Sequence, residues 1–392
     1  MSNFHAFVRR SPFAAVATAL ILLLALPALA GANPGGRSAE NGRGKTVDMM
    51  TRNLYLGADL TPAIVASSIP AFVDANGQIL REVDANDFPL RAEGLADEIL
   101  RTKPDLVGLQ EVALWRTKTP ASLGGPPSAT TVRYDYLQEL LDELNAGKGK
   151  NGNGKPQYRV VVAQKEFDLE APADANEVAN DGPGGPLADA ELNARLTMRD
   201  VILARRDAGV QTWNEQGDNF ANLLELKILG NPIFVDRGWT ATDAKVRGSH
   251  AFRFVNTHLE AFHPLVRQAQ AAELVAPGGP ATSNLPVVLL GDLNSDDNTV
   301  PPVDRLAYET LIGAGMVERS TDDPLSCCLN SSLLEVGKGG SIADFDHQVD
   351  HVLTRDPALV GLRSSTVTGL QPVNGFWDSD HAGLFSSLIF RE

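Results

Sequence analysis

Residues 285–290 form a short apolar run that breaks into Gly291-Asp292-Leu293-Asn294. A run of this length, closed by glycine and an acid, fits a buried strand. Alternation along that strand predicts Asp292 and Asn294 on one side, at its exposed end. Far along the chain, Ser379-Asp380-His381 offers a second acid and an imidazole. Two acids, an amide and a histidine meeting at strand ends suit a hydrolytic site that binds a metal and holds a phosphate.

The chain has 392 residues, 43% apolar and 21% charged, enough for a sizeable core. Its start reads differently. Arg9 and Arg10 precede an apolar run over 13–26, then Pro27 and Ala28-Leu29-Ala30. This order predicts a secretory signal peptide over 1–30, and hence a secreted or periplasmic protein; the alternative is an uncleaved anchor. No later segment is long and apolar enough to span a bilayer. Loss of the signal removes two arginines and no acids, taking the net charge from −15 to −17. Such a chain has no global attraction for nucleic acid or anionic lipid, although a bound divalent cation reverses the local field. Cys327 and Cys328 are the only cysteines and are adjacent, so there is no disulfide framework. A vicinal disulfide and a pair of free thiols both remain open, and a metal site is the least favoured reading because there is no further cysteine.

Residues 31–45 are small and polar and predict a flexible leader. Strands are expected over 46–56, 105–112, 158–164, 200–205, 210–213, 233–237, 251–258, 285–290, 348–354 and 384–390. Helices are expected over 89–101, 134–144, 265–275 and 305–312. Residues 116–131 and the low-complexity stretch 147–155 predict loops, 168–191 a mobile surface loop, and 57–87 an insertion. Strands throughout with interspersed helices point to one α+β or α/β layered domain over 46–392.

Six places carry the chemistry: Asn53, Glu111 in Gln110-Glu111, Asp200 in Arg199-Asp200-Val201-Ile202-Leu203, His258 in Thr257-His258, the Asp292/Asn294 pair, and Asp350 with Asp380 and His381. Each lies at or near an expected strand end. Alone, Asn53 is more often a turn residue, Glu111 a solvated acid, and His258 a half-buried structural histidine. In this order the set resembles the endonuclease/exonuclease/phosphatase superfamily, over roughly 46–392.

The resemblance implies a DNase I-like α+β fold, a four-layer α/β/β/α sandwich. It implies that Asn53, Glu111 and Asp380 hold Mg²⁺, with Mn²⁺ or Ca²⁺ as substitutes. Asp292 would activate the attacking water, and Asn294 would donate to a phosphate oxygen. His258 and His381 would donate to phosphoryl oxygens as charge builds there. Asp350 would orient His381 and Asp200 would orient His258, with Arg199 as an alternative phosphate contact. The function implied is metal-dependent attack of water on a phosphodiester in a nucleic acid, phospholipid or inositol phosphate. A phosphomonoesterase and a non-catalytic binding protein on the same scaffold are the alternatives. No obligate protein partner is evident. His250, His263, His347 and His351 match no motif and are expected to be solvated or structural. The two long segments 57–87 and 168–191 obscure the choice of substrate.

Overall fold

A computed structural model describes residues 44–146, 157–296, 302–320, 325–333, 340–356 and 359–391. The expected signal peptide, most of the leader and the loop 147–155 lie outside the described residues. The leader's last two residues, Gly44 and Lys45, instead begin the first strand.

The first sheet contains β1 (Gly44–Asn53), β2 (Leu106–Gln110), β3 (Leu114–Lys118), β4 (Thr131–Asp135), β5 (Tyr158–Ala173), β6 (Leu192–Arg205), β15 (Val360–Thr368) and β16 (Gly383–Arg391). Its order is β15-β16-β1-β2-β6-β3-β4, with β5 also paired to β6. The second sheet contains β7 (Gln211–Asn219), β10 (Gly238–Lys245), β11 (Phe252–His258), β12 (Val287–Asp292), β13 (Val317–Glu318) and β14 (Asp350–Arg355). Its order is β13-β14-β12-β11-β10-β7. A separate hairpin joins β8 (Leu224–Ile228) and β9 (Asn231–Val235). Pairing is antiparallel except for β1 with β2 and β11 with β12.

Alternation along these strands sorts side chains into layers. Met50, Val107, Leu109, Val201 and Leu203 face outward from the first sheet onto α1 (Thr61–Ile64), α2 (Ile69–Ala85), α3 (Phe88–Thr102) and α4 (Tyr136–Asn145). Their neighbours Met49, Leu106 and Ile202 face inward, against Phe252, Phe254, Val288 and Leu290 of the second sheet. Val255, Val287 and Leu289 face the other way, onto α5 (Pro264–Val275) and α6 (Leu306–Gly313). The result is the expected α/β/β/α sandwich.

Several expectations need correction. Residues 57–87 hold the 17-residue helix α2, capped by Ser68 and burying Phe72, Ile79, Leu80 and Val83. The stretch 116–131 contains most of β3 and the start of β4. Residues 168–173 continue β5, and the segment beyond them is anchored rather than loose. There, Leu187 and Ala190 bury against Val73 of α2, and Asn76 donates to the Pro172 carbonyl at 3.2 Å. Strands β8, β10 and β15 fall where the sequence predicted none. Among the described residues, no helix is long and apolar enough to cross a membrane.

The two sheets approach closely at Gly108. A Cβ there would lie 2.3 Å from Leu290 Cδ1 and 2.5 Å from Asn256 Oδ1. Gly108→Ala should therefore cost about 1–3 kcal/mol through overpacking. Gly313→Ala, with open space around it, should change stability by less than about 0.5 kcal/mol. Denaturant midpoints of both variants test the pair, and equal midpoints would contradict it.

Candidate active site

The parallel pairs β1/β2 and β11/β12 end at the same edge of the sandwich. Asn53 closes β1 opposite Gln110, so Glu111 follows at once. In the second sheet, His258, Asp292 and Asp350 stand on one rung, His258 opposite Asp292 and Asp292 opposite Asp350. Asp380 and His381 arrive just before β16, whose Leu384 pairs with Thr51 of β1. Residues from 53 to 381 thus meet at one edge.

Side chains close the site across the sheets. Asn53 Nδ2 donates to Asp292 Oδ2 at 3.0 Å. That same oxygen lies 3.3 Å from His258 Nε2 and 3.6 Å from His381 Nε2. Asp292 Oδ1 accepts from the Asn294 N–H at 2.9 Å. His381 Nδ1 sits 2.8 Å from Asp350 Oδ2, as expected, and Ser326 donates to the same oxygen at 2.7 Å. Ser379 Oγ donates to the Asn53 carbonyl at 2.8 Å, fixing the Asp380-His381 turn on the end of β1.

The two histidines are held in opposite states. Burial works against a charged His381, but Asp350 and then Asp292 push it up to about 10. His381 is therefore an imidazolium with Nε2–H aimed at the site. Burial, then the Arg237 charge, drives His258 well below its ordinary value. Arg237 Nη1 meets His258 Nδ1 at 2.9 Å. A guanidinium only donates, so Nδ1 must be the bare nitrogen and the proton sits on Nε2, facing Asp292. Burial pushes Asp292 up to about 6; His381 opposes this and Asp350 adds to it.

The expected Asp200–His258 pair does not form. Asp200 lies carboxyl to carboxyl with Glu166 instead. Burial, then Glu166, pushes Asp200 well above the usual carboxylate range, while burial takes Glu166 to about 7. Among the described residues no N–H or hydroxyl reaches the Asp200 oxygens, and a proton shared with Glu166 would satisfy one of them. Arg199 is not a phosphate contact either. It donates to the Val112 and Ala113 carbonyls and pairs with Asp135 at 2.6 Å. Asn294 lies beyond the end of β12 with φ +48°, so strand alternation does not orient it. Its amide donates to the Leu259 carbonyl at 3.0 Å.

Glu111 also has a left-handed backbone, φ +54°, and its Oε2 accepts from the Leu56 N–H at 2.8 Å. Burial pushes Asp380 up to about 7; His381 opposes this, and the nearby Glu111 charge adds to it. Two carboxylates crowded in this way fit a hard divalent cation. Asn53 has less to offer it, because Oδ1 already accepts from the Tyr55 N–H at 2.8 Å and only one lone pair remains. Asp292, Asp350 and His381 also bring ligand atoms within 4.8 Å of one another, but the His381–Asp350 hydrogen bond suits proton chemistry.

Sequence reasoning missed Arg237, Glu166 and Ser326, none of which belongs to a motif. It correctly set aside His351, which is buried between Glu318, at 2.7 Å, and the Ser295 carbonyl. His263 caps α5.

The model of the endonuclease/exonuclease/phosphatase family matches residues 73–381. The chain belongs to that family. Its members hydrolyse phosphoester bonds, and the family is generally metal-dependent. No curated protein matches the chain. Among solved structures, an endonuclease/exonuclease/phosphatase family protein of Bacteroides thetaiotaomicron is 12% identical, with 89% of this chain and 100% of that one covered and a TM-score of 0.51. A mannosyl-6-phosphatase of the same species is 14% identical, covering 88% and 100%, with a TM-score of 0.48. A family protein of Beutenbergia cavernae is 17% identical, covering 88% and 72%, with a TM-score of 0.49. At these identities the likeness concerns the fold.

The charge states predict a bell-shaped profile for hydrolysis of a chromogenic phosphoester. Asp292 must be ionised to accept a proton, so the rate should fall as pH drops through about 6, or lower with a cation bound. His381 must be protonated to donate, so the rate should fall again near pH 10. Asp292→Asn should lose roughly a hundredfold or more in kcat and remove the acid limb. An unchanged limb in that variant would rule Asp292 out as the base.

Proposed function

We propose that this chain is an exported, Mg²⁺-dependent phosphodiesterase. The observation that carries the reaction is the Asp292 carboxylate, held by Asn53 and Asn294 and flanked by two imidazole N–H groups. A phosphate placed between His258 and His381 receives both donors, one neutral and one charged. Asp292 takes the proton of the attacking water. His381, with Asp350 behind it, gives a proton to the leaving oxygen and is restored from solvent. Glu111 and Asp380, with the remaining lone pair of Asn53, would hold the divalent ion, which supplies charge neutralisation at the phosphate.

A charge argument favours diesters. The edge is crowded with Glu111, Asp292, Asp350 and Asp380, and only His381 and Arg237 oppose them within the set described. A diester brings one negative charge to this field, whereas a monoester at neutral pH brings nearly two. Export is supported by the signal-like order of residues 1–30.

The test is hydrolysis of bis(p-nitrophenyl) phosphate and p-nitrophenyl phosphate by purified protein lacking residues 1–30. We expect turnover with Mg²⁺, at least tenfold preference for the diester in kcat/KM, and none with EDTA. Preference for the monoester would reverse the substrate class. No turnover of either, with metal-independent binding, would favour a binding protein on this scaffold. Plasmid DNA, RNA, sphingomyelin and inositol phosphates compared under the same conditions would then name the natural class.

A further inference from the structure

Cys327 and Cys328 bring their sulfurs together, within reach of a vicinal disulfide, and both sulfurs abut the ring of His381. Their Sγ atoms lie 3.7 and 3.8 Å from His381 Nε2, the nitrogen that faces Asp292. The two sulfurs and Nε2 sit within 4.8 Å of one another, Cys327 and His381 buried and Cys328 half-buried. The segment that carries them is fastened to the catalytic turn. Ser326 holds Asp350, the Leu329 N–H donates to the Asp380 carbonyl at 2.9 Å, and the Ala382 N–H donates to the Ser326 carbonyl at 2.7 Å. The proposed reaction uses neither sulfur.

We propose that the reduced Cys327–Cys328 pair and His381 Nε2 form a binding site for a soft divalent cation, such as Zn²⁺ or Cd²⁺, that switches the enzyme off. Thiolate and imidazole ligands select such ions, whereas the carboxylates nearby suit Mg²⁺. The disulfide prevents binding because its sulfurs carry no free thiolate. A phosphine opens it: two electrons go to the S–S bond, water supplies the protons and the oxygen, and two thiols and a phosphine oxide result. The cation then displaces one proton from each thiol and the Nε2 proton of His381, three in all, to solvent. With Nε2 on the cation, His381 can neither donate to a phosphoryl oxygen nor protonate a leaving group. The inhibition half of this inference rests on the proposed reaction; the binding half does not.

The experiment titrates Cd²⁺ into full-length protein before and after phosphine treatment and removal of the reagent. The readouts are the ultraviolet sulfur-to-cadmium charge-transfer band and the Mg²⁺-dependent rate. The chain has only two cysteines, so the band has one source. We expect it in the reduced protein only, with parallel loss of at least ten-fold in rate, both reversed on reoxidation. Cys328→Ala should lose the band and resist cadmium, and Cys327→Ser is the second variant if the first does not fold. His381→Ala should weaken cadmium binding at least tenfold. Absence of the band in reduced protein overturns the site. A band of undiminished affinity in His381→Ala overturns the link to catalysis. A protein that shows the band but never turns over substrate retains the site and refutes the proposed function instead.

Discussion

The buried amide of Asn256 ties the two sheets together, and the active site follows from where it does so. Its Nδ2 reaches the Leu109 carbonyl at 3.2 Å, the Val201 carbonyl at 3.4 Å and Thr240 Oγ1 at 3.1 Å. Its Oδ1 accepts from Gln110 Nε2 at 2.6 Å. A polar group in so apolar an interior is tolerated only when it is satisfied, and it is satisfied at one relative setting of the sheets. That setting determines what lies one or two residues onward. Past Asn256 comes His258, past Gln110 comes Glu111, and past Leu290, the neighbour of Asn256 on β12, comes Asp292. Asn53 then bonds Asp292 across the same gap.

One environment yields two unlike imidazoles because their second nitrogens meet opposite charges. Both rings are buried, which by itself disfavours the cation. Asp350 behind His381 more than reverses this, while Arg237 behind His258 adds to it. The pair therefore presents one charged and one neutral donor to the same small volume. Asp200, expected to supply a second anion behind an imidazole, instead faces Glu166 and is pushed toward its neutral form, which keeps its charge from the site.

The strand-end acids and histidines were legible because each borders an apolar strand, Glu111, His258 and Asp292 at its end and Asp350, Asp380 and His381 at its start. Asp350 was legible for the same reason, on the run 348–354. Arg237 was not, because it sits in the turn between β9 and β10, and nothing local distinguishes it from a surface arginine. Glu166 lies within a long strand whose charged neighbours disguise a buried position. Helix α2 was hidden by Gly77, which costs helix propensity but lets the Asp174 carbonyl approach where a Cβ would lie 1.7 Å from it. Asn294 was misplaced because alternation was extended two residues past the end of the strand.

Glu111 holds its carboxylate on a backbone that L-residues avoid, at a cost of about 1–3 kcal/mol. Asparagine or glycine would relieve that cost and remove the carboxylate at the same time. At this position, selection for a sturdier molecule and selection for a working one pull in opposite directions. A search for thermostable variants that ignored turnover would be drawn to residue 111 and return a protein without the proposed metal ligand.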